Sequence, residues 1–287
     1  MIIDETLDLL KTFYIKKGLE PSQLVQIGLK TGWTTVVGTG KLCGTAFKFS
    51  GPHNVYRTTE PDIQVIDKLA GKSLMNIADE YLNSDIIQMR SIAVAAMSAL
   101  SQPFLAPESL AERGFQVEDD RDYLYGILKP DDVVTLIGYG GMTQNILGRC
   151  KELHIADMRP AHLLPSMLMR EDVKDRHEPV FIHGPDEDEA LLNKSDVVVI
   201  TASSLVNGTL DDLIRYAASA RIKCLYGASA SLIPDILIRK GINFIMSHYV
   251  KNPDKFIESM GSDINMEQSI RNYQSYQVMS AAKGDLT

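Results

Sequence analysis

Short apolar runs alternate with amphipathic segments along the second half of the chain. The apolar runs predict buried strands at 133–137, 153–156, 180–182, 197–201, 222–226 and 243–246. Helical spacing of apolar residues between them predicts helices at 142–150, 186–192, 210–218 and 233–240. Strands that alternate with helices are typical of a mostly parallel sheet covered on both faces, so we predict a doubly wound sheet here.

The first half of the chain has a different pattern. An amphipathic helix is predicted at 3–17, followed by three β-type runs at 24–29, 33–37 and 43–49. Because Gly-containing turns join these runs, they predict an antiparallel meander. Two helices follow, at about 73–82 and 84–101, and the small residues at 91–100 predict a buried helix that allows close approach of a neighbour.

Charged residues between 108 and 122 interrupt the two patterns, and a short helix is expected at 122–128. We therefore predict an α+β domain at 1–117 and an α/β domain at 118–287. A chain of 287 residues is long enough to form two domains.

Charge and cysteine usage narrow the function classes. The net charge of −8 comes with no evident stripe of Lys and Arg, which disfavours nucleic acid and anionic membrane as partners. The three cysteines are far apart and form no C-x-x-C motif. With no apolar run of about 18 residues and no basic leader segment, the expected location is the cytoplasm.

A glycine turn follows the first strand of the predicted parallel sheet. Gly138 and Gly140 fit the first two glycines of the dinucleotide fingerprint, whereas Thr143 stands in the third place. Asp157 lies about 20 residues further on, where an acid would meet a ribose hydroxyl. The turn could serve only the backbone, but strand ends of open sheets are where ligands bind, so we favour a small-molecule site.

Two further strand ends carry small polar residues, at 201–209 and at 227–231. In a parallel sheet all three segments lie at one edge, which favours a pocket over helix capping alone. The predicted ligand-binding residues are Gly138, Tyr139, Gly140, Gly141, Asp157, Thr201, Ser203, Ser204, Asn207, Thr209, Gly227 and Ser229.

No standard catalytic constellation accompanies this edge. The chain has no G-x-S-x-G elbow, Walker lysine or H-E-x-x-H motif, and its six His have no helix-face ligand spacing. The acidic residues 186–189 are expected to serve a helix N-terminus rather than a metal ion. Catalytic residues stay unassigned, and no metal site is predicted.

The chain also resembles a known family. The segments SDVVVITASSLVNGTLDDLI (195–214) and LYGASASLIPDILIRKGINFIMSHYVKNP (225–253) look like the signature of the putative heavy-metal chelation family. In the first half, LVQIGLKTGWTTVVGTGKLCGTAF (24–47) and MRSIAVAAMSAL (89–100) fit it too. The resemblance implies an enolase N-terminal-like α+β domain followed by a Rossmann-like domain.

The resemblance implies that a pocket lies between the two domains. The reaction expected there is a condensation or a hydrolysis during the synthesis of pterin-, flavin- or siderophore-like metal chelators. Enolase chemistry is not carried over, because the catalytic barrel of enolases is missing.

Other function classes stay open. One is a non-catalytic module that binds a metal chelate, and another is an enzyme dependent on NAD or S-adenosylmethionine. Whether the protein is an enzyme is therefore undecided. Its cofactor is undecided too, and the candidates are an S-adenosylmethionine-like ligand, a nucleotide or a pterin. The expected partner is a small molecule, and the apolar helices make a homodimer plausible.

Overall fold

The computed structural model describes residues 1–30, 32–50, 55–56, 66–140, 142–160, 164, 180–262 and 265–281. Its helices of at least one α-turn are α1 (Ile2–Lys17), α2 (Leu74–Tyr81), α3 (Ile87–Ser101), α4 (Pro107–Ala111), α5 (Tyr123–Ile127), α6 (Met142–Ile146), α7 (Asp188–Leu192), α8 (Ser203–Asn207), α9 (Leu210–Tyr216), α10 (Asp235–Arg239), α11 (Pro253–Met260) and α12 (Met266–Tyr273). Its strands are β1 (Leu24–Lys30), β2 (Trp33–Gly38), β3 (Cys43–Phe47), β4 (Phe115–Glu118), β5 (Val133–Ile137), β6 (Glu152–Ala156), β7 (Val180–His183), β8 (Val197–Thr201), β9 (Ile222–Tyr226), β10 (Phe244–Val250) and β11 (Gln274–Ala281).

The strands form two sheets, and the predicted α/β class is confirmed. The meander β1-β2-β3 is antiparallel, as the Gly-containing turns predict. The second sheet has eight strands in the order β4-β11-β10-β9-β8-β5-β6-β7. Its six strands from β10 to β7 run parallel. Strands of a parallel sheet are covered on both faces, which suits buried apolar β-branched runs such as Val197–Thr201.

The order of the parallel strands reverses between β5 and β8. From β5 the chain proceeds outward through β6 to β7, then returns to β8 and proceeds the other way through β9 to β10. A crevice opens outside the carboxyl ends of the strands at such a switch point. The predicted glycine turn follows β5 and the first polar segment follows β8, so both lie at this crevice.

The sequence missed the two antiparallel strands at the other end of the large sheet. β11 pairs with β10 on one side and with β4 on the other. The predicted domain boundary at 117/118 falls inside β4, so this strand belongs to the large sheet although most of it precedes the boundary. The division into domains at that position stays a prediction.

Helix α3 packs the small sheet onto the rest of the molecule. All but one of its residues are buried, and β3 crosses it so closely that a Cβ on Gly44 would lie 2.0 Å from the carbonyl oxygen of Ala95. The same Cβ would lie 2.3 Å from the amide nitrogen of Ala99. The close approach that the small residues predict is therefore present, and it depends on glycine in the facing strand.

Direct hydrogen bonds also connect the two halves. The Phe47 amide donates to Ser229 Oγ at 2.8 Å, and the Val250 amide donates to Gln102 Oε1 at 3.0 Å. A single apolar cluster contains Leu10 of α1 together with Val198 of β8 and Leu237 of α10. The small sheet is thus fixed above the carboxyl edge of the large one.

We predict that Gly44→Ala destabilises the protein by about 3 kcal/mol or more, because backbone atoms of α3 occupy the space of the new methyl group. The matched control is Gly126→Ala in α5, where a Cβ meets nothing within 4 Å. That control should be neutral or stabilising by about 0.5 kcal/mol. Urea unfolding of both variants measures the difference, and equal stabilities would contradict the close packing.

Candidate functional site

Gly138 begins the turn after β5 and is required there for two reasons. Its φ is +85°, a conformation that favours glycine, and a Cβ would lie 2.8 Å from Thr201 Cγ2. Its amide donates to the Ala156 carbonyl at 2.8 Å. The turn therefore brings the end of β5 against the end of β8, which is the switch point of the sheet.

Asp157 follows β6 and is buried, with 8% of its surface exposed. Its carboxylate accepts the amides of Tyr139 at 2.7 Å and Arg159 at 2.8 Å. It also accepts Arg159 Nε at 2.9 Å and Arg159 Nη2 at 2.6 Å. These four donors come from the protein itself, so a ribose hydroxyl would have to compete with Arg159; the ribose role of Asp157 stays a prediction.

Arg159 lines the cavity at this edge and is not among the residues predicted from the sequence. Its hydrogen bonds to Asp157 raise the pKa of the guanidinium above its ordinary value, and Nη2 donates further to the Tyr139 carbonyl at 3.0 Å. The Arg159 side chain is 28% exposed. The available signal was an Asp-x-Arg sequence directly after a strand at the predicted edge.

The polar segment after β8 forms the short helix α8 rather than a loop. Ser204 Oγ donates to the Thr201 carbonyl at 2.7 Å, and the hydroxyls of Thr201 and Ser203 lie 3.2 Å apart. Asn207 Oδ1 accepts the amide of Thr209 at 3.1 Å and its hydroxyl at 2.8 Å. Much of the hydrogen-bonding capacity of these side chains is therefore used within the segment itself.

The segment after β9 joins the two halves. Ser229 is buried and its Oγ accepts the Phe47 amide, while the Gly227 amide donates to the Met246 carbonyl at 2.9 Å. Tyr226 Oη donates to the Gly138 carbonyl at 3.0 Å, and burial raises the pKa of this phenol. Tyr226 thereby connects β9 to the glycine turn.

A cavity of about 500 Å³ lies between the small sheet and this edge. From the predicted set, its wall contains Gly138, Tyr139, Asp157, Thr201, Ser203, Ser204, Asn207 and Thr209. Among the described residues, the others that line it are Gly32, Phe47, Phe49, Ser50, Val55, Ile137, Ala156, Met158, Arg159, Pro185, Asp188, Leu213 and Tyr226.

Three of the predicted residues that the structure describes are not in that wall. Gly140 lies near Tyr226, whose Oη would be 3.3 Å from an added Cβ, and Gly227 and Ser229 have the backbone and bridging contacts given above. Gly141 lies outside the described residues. The structure thus brings eight of the predicted residues to one cavity, and their role in binding a ligand stays a prediction.

Asp188 at the start of α7 is a second cavity-lining residue that is not among those predicted from the sequence. Its Oδ1 is buried and has no hydrogen-bond partner among the described residues. Burial, with smaller contributions from Asp186 and Glu187, raises the pKa of Asp188 from 3.8 to about 6. The sequence predicts only a role at the helix N-terminus for the acidic run 186–189, because the burial of Asp188 against a cavity has no signature in the sequence.

Two histidines that are far apart in the sequence meet across β6 and β7. His154 Nδ1 lies 3.0 Å from His183 Nε2, and His183 Nδ1 lies 2.9 Å from Glu187 Oε2. Burial lowers the pKa of His154.

In the part of the chain that the structure describes, no group of three or more His, Cys, Asp or Glu could hold a metal ion. No described helix is both long and apolar enough to cross a membrane.

Comparisons with known proteins agree with this fold. A protein of unknown function of the DUF364 family from Pyrococcus horikoshii is 21% identical, with a TM-score of 0.69, covering 98% of this chain and 100% of that one. A DUF364 protein of unknown function from Desulfitobacterium hafniense is 18% identical, with a TM-score of 0.68, covering 96% and 98%. At these identities the likeness shows the shared fold.

Sequence comparisons extend the likeness. An uncharacterized protein of Methanocaldococcus jannaschii is 27% identical over 184 residues, which are 64% of this chain. The matched stretch spans 62% of that relative's length. The model of the family DUF364, described as "Putative heavy-metal chelation", matches residues 125–279, more than half of the chain. The protein therefore belongs to the DUF364 family.

Proposed function

We propose that the protein is a small-molecule enzyme whose site is the cavity between its two halves, with Asp188 as the acid–base group. The observation that carries the proposal is a carboxyl group in the wall of this cavity with a buried, unpartnered oxygen and a pKa raised to about 6. Titratable groups with shifted pKa values in clefts mark functional sites more often than chance.

The chemistry that such a carboxyl group supports is proton transfer. A group that titrates near pH 6 is present in both protonation states close to neutral pH. Its protonated form can donate to a leaving oxygen or nitrogen, and its ionised form can accept a proton from an attacking water or amine. Condensation and hydrolysis, the reactions that the family resemblance implies, both need these two transfers.

The walls of the cavity suit an organic molecule with an apolar body. Phe47, Phe49 and Val55 come from the first half of the chain, and Met158 comes from the segment after β6. Thr201 and Ser203 supply hydroxyl groups on the polar side. Such walls exclude water from a ring-like ligand while orienting its polar edge, which is compatible with pterin-, flavin- or siderophore-like molecules.

A nicotinamide or adenosyl cofactor is less well supported. In the fingerprint the turn's backbone and the acidic residue both contact the nucleotide. Here the Tyr139 amide and the Asp157 carboxylate bond each other at 2.7 Å. A nucleotide would have to break that pair before it could use either group.

The first prediction concerns binding. In a thermal-shift panel of pterins, flavins, S-adenosylmethionine, nicotinamide nucleotides and divalent metals, we expect an organic ring compound to raise the midpoint by several degrees. Ser203→Phe should abolish the shift because its ring fills the cavity, whereas Ser219→Phe at an exposed position on the amino edge should retain it. Binding without turnover would favour the chelate-binding module, and a shift unaffected by Ser203→Phe would place the ligand elsewhere.

The second prediction concerns Asp188. Because its pKa is higher in the folded state than its unfolded value of 3.8, the native protein holds a proton that the unfolded chain releases. Its contribution to stability is complete below about pH 4 and is lost as the pH rises through about 6. Relative to Asp188→Asn, the wild type should lose on the order of 2 kcal/mol across that interval, less than the full pKa shift would give because solvent screens a partly exposed carboxyl group.

Urea unfolding at several pH values measures this difference. Glu189→Gln, which changes an exposed residue of the same helix, is the control and should follow the wild-type profile. Parallel profiles of the wild type and Asp188→Asn would mean that Asp188 titrates like a solvated carboxyl group, which would remove it as the acid–base group.

A further inference from the structure

Three charged side chains line the cavity among the described residues: Asp157, Arg159 and Asp188. The carboxylate of Asp157 accepts four N–H groups, all from Tyr139 and Arg159. It is therefore satisfied by the protein and serves to hold its neighbour. Arg159, which Asp157 holds in place, is the charged residue of this cavity wall that can still donate hydrogen bonds to an anion.

Arg159 has five N–H donors on its guanidinium. The Nε donor and one Nη2 donor bond the two oxygens of Asp157 at 2.9 and 2.6 Å, and Nη2 also donates to the Tyr139 carbonyl at 3.0 Å. This bidentate pairing fixes the plane and direction of the guanidinium. The two donors on Nη1 have no hydrogen bond among the described residues, and the side chain lines the cavity with 28% of its surface exposed.

Two backbone amides of the glycine turn, those of Gly138 and Tyr139, are already hydrogen-bonded within the protein. The Gly138 amide donates to the Ala156 carbonyl at 2.8 Å, and the Tyr139 amide donates to Asp157 Oδ2 at 2.7 Å. The carboxylate of Asp157 thus occupies one of the turn donors that could otherwise hold a ligand's phosphate. An incoming anion cannot use these two amides without breaking their bonds, whereas Arg159 lies in the cavity wall.

We propose that the cavity takes ligands that carry an oxyanion, a carboxylate or a phosphoryl group, and that Arg159 Nη1 binds it. Guanidinium groups suit the oxygens of both, and a donor held in place by a buried carboxylate loses little entropy on binding. The proposal rests on the proposed function, because it names the ligand chemistry of the same cavity. It assigns specificity to Arg159, and it requires no proton transfer by Asp188.

The test uses the full chain and three small probes: inorganic phosphate, pyrophosphate and malonate, titrated at constant ionic strength and pH. Binding is followed by the guanidinium NMR signals of Arg159 and by the thermal midpoint. We expect at least one probe to bind saturably to the wild type. Arg159→Gln should weaken that binding by roughly 10- to 100-fold, the loss typical of a hydrogen bond to a charged group.

Arg221→Gln is the matched control. Arg221 bonds both oxygens of Asp132, a carboxylate that is also buried, and this pair lies at the start of β5 on the opposite edge of the sheet. The control removes a comparable ion pair without touching the cavity, so it should leave probe affinity within about 2-fold. If Arg159→Gln does not fold, Arg159→Lys keeps the charge but loses the bidentate pairing, and it should weaken the same probe.

The outcomes separate the two sources of the oxyanion. Saturable binding of phosphate or pyrophosphate identifies a phosphoryl group, and binding of malonate alone identifies a carboxylate. The inference is overturned if no probe binds saturably, if Arg159→Gln binds as the wild type does, or if Arg221→Gln weakens binding equally. If the probes fail while a neutral ring compound still gives a shift that Ser203→Phe abolishes, the proposed function survives and only the oxyanion is wrong.

Discussion

The close crossing of β3 over α3 is the constraint on which the rest of the molecule depends. With a Cβ on Gly44 only 2.0 Å from a carbonyl oxygen of α3, the strand lies against the helix backbone itself. A helix rich in small residues permits this separation, and the small sheet is carried with it to the edge of the large sheet. The aromatic residues at and after the end of β3 then cover the crevice at the switch point and turn it into a cavity.

The second constraint is electrostatic. A buried carboxylate needs compensation, and Asp157 obtains it from a neighbouring guanidinium and from the turn that precedes it. The same four hydrogen bonds shape the glycine turn and aim an arginine along the cavity wall. In a nucleotide-binding sheet the turn and the acid are directed toward the ligand, whereas here they are directed toward each other. A familiar strand-turn-helix pattern is thereby compatible with a different class of ligand.

Much of this fold can be predicted from the sequence, and the exceptions have physical reasons. Apolar β-branched runs identify the parallel strands, since such strands are buried on both faces. β11 was missed because polar residues such as Gln274, Gln277 and Ser280 are buried within it, so no apolar run announces a strand in the interior of the sheet. β4 has only four residues beside charged ones, which is typical of an edge strand but is also typical of a linker.

In the candidate site, too, some residues can be predicted from the sequence and others cannot. Gly138, Asp157 and Thr201 lie together in the cavity wall, as the sequence predicts, because the rule that parallel strands end at one edge needs only the strand positions. Arg159 and Asp188 were missed because their roles depend on which neighbour a side chain meets. A hydrogen-bonded turn directs the first, and burial against the cavity sets the pKa of the second.

The position of β11 has a consequence for the order in which the chain folds. This strand, which comes last in sequence among the strands of the described residues, lies inside the large sheet between β10 and β4. Until it inserts, β10 exposes an unpaired edge and β4 has no partner in that sheet. The pairing of β11 with β4, which joins Val117 to Met279, is distant in sequence, and such contacts form slowly. The edges of β10 and β4 therefore stay unpaired until β11 has been synthesised, and unpaired strand edges favour association with other chains.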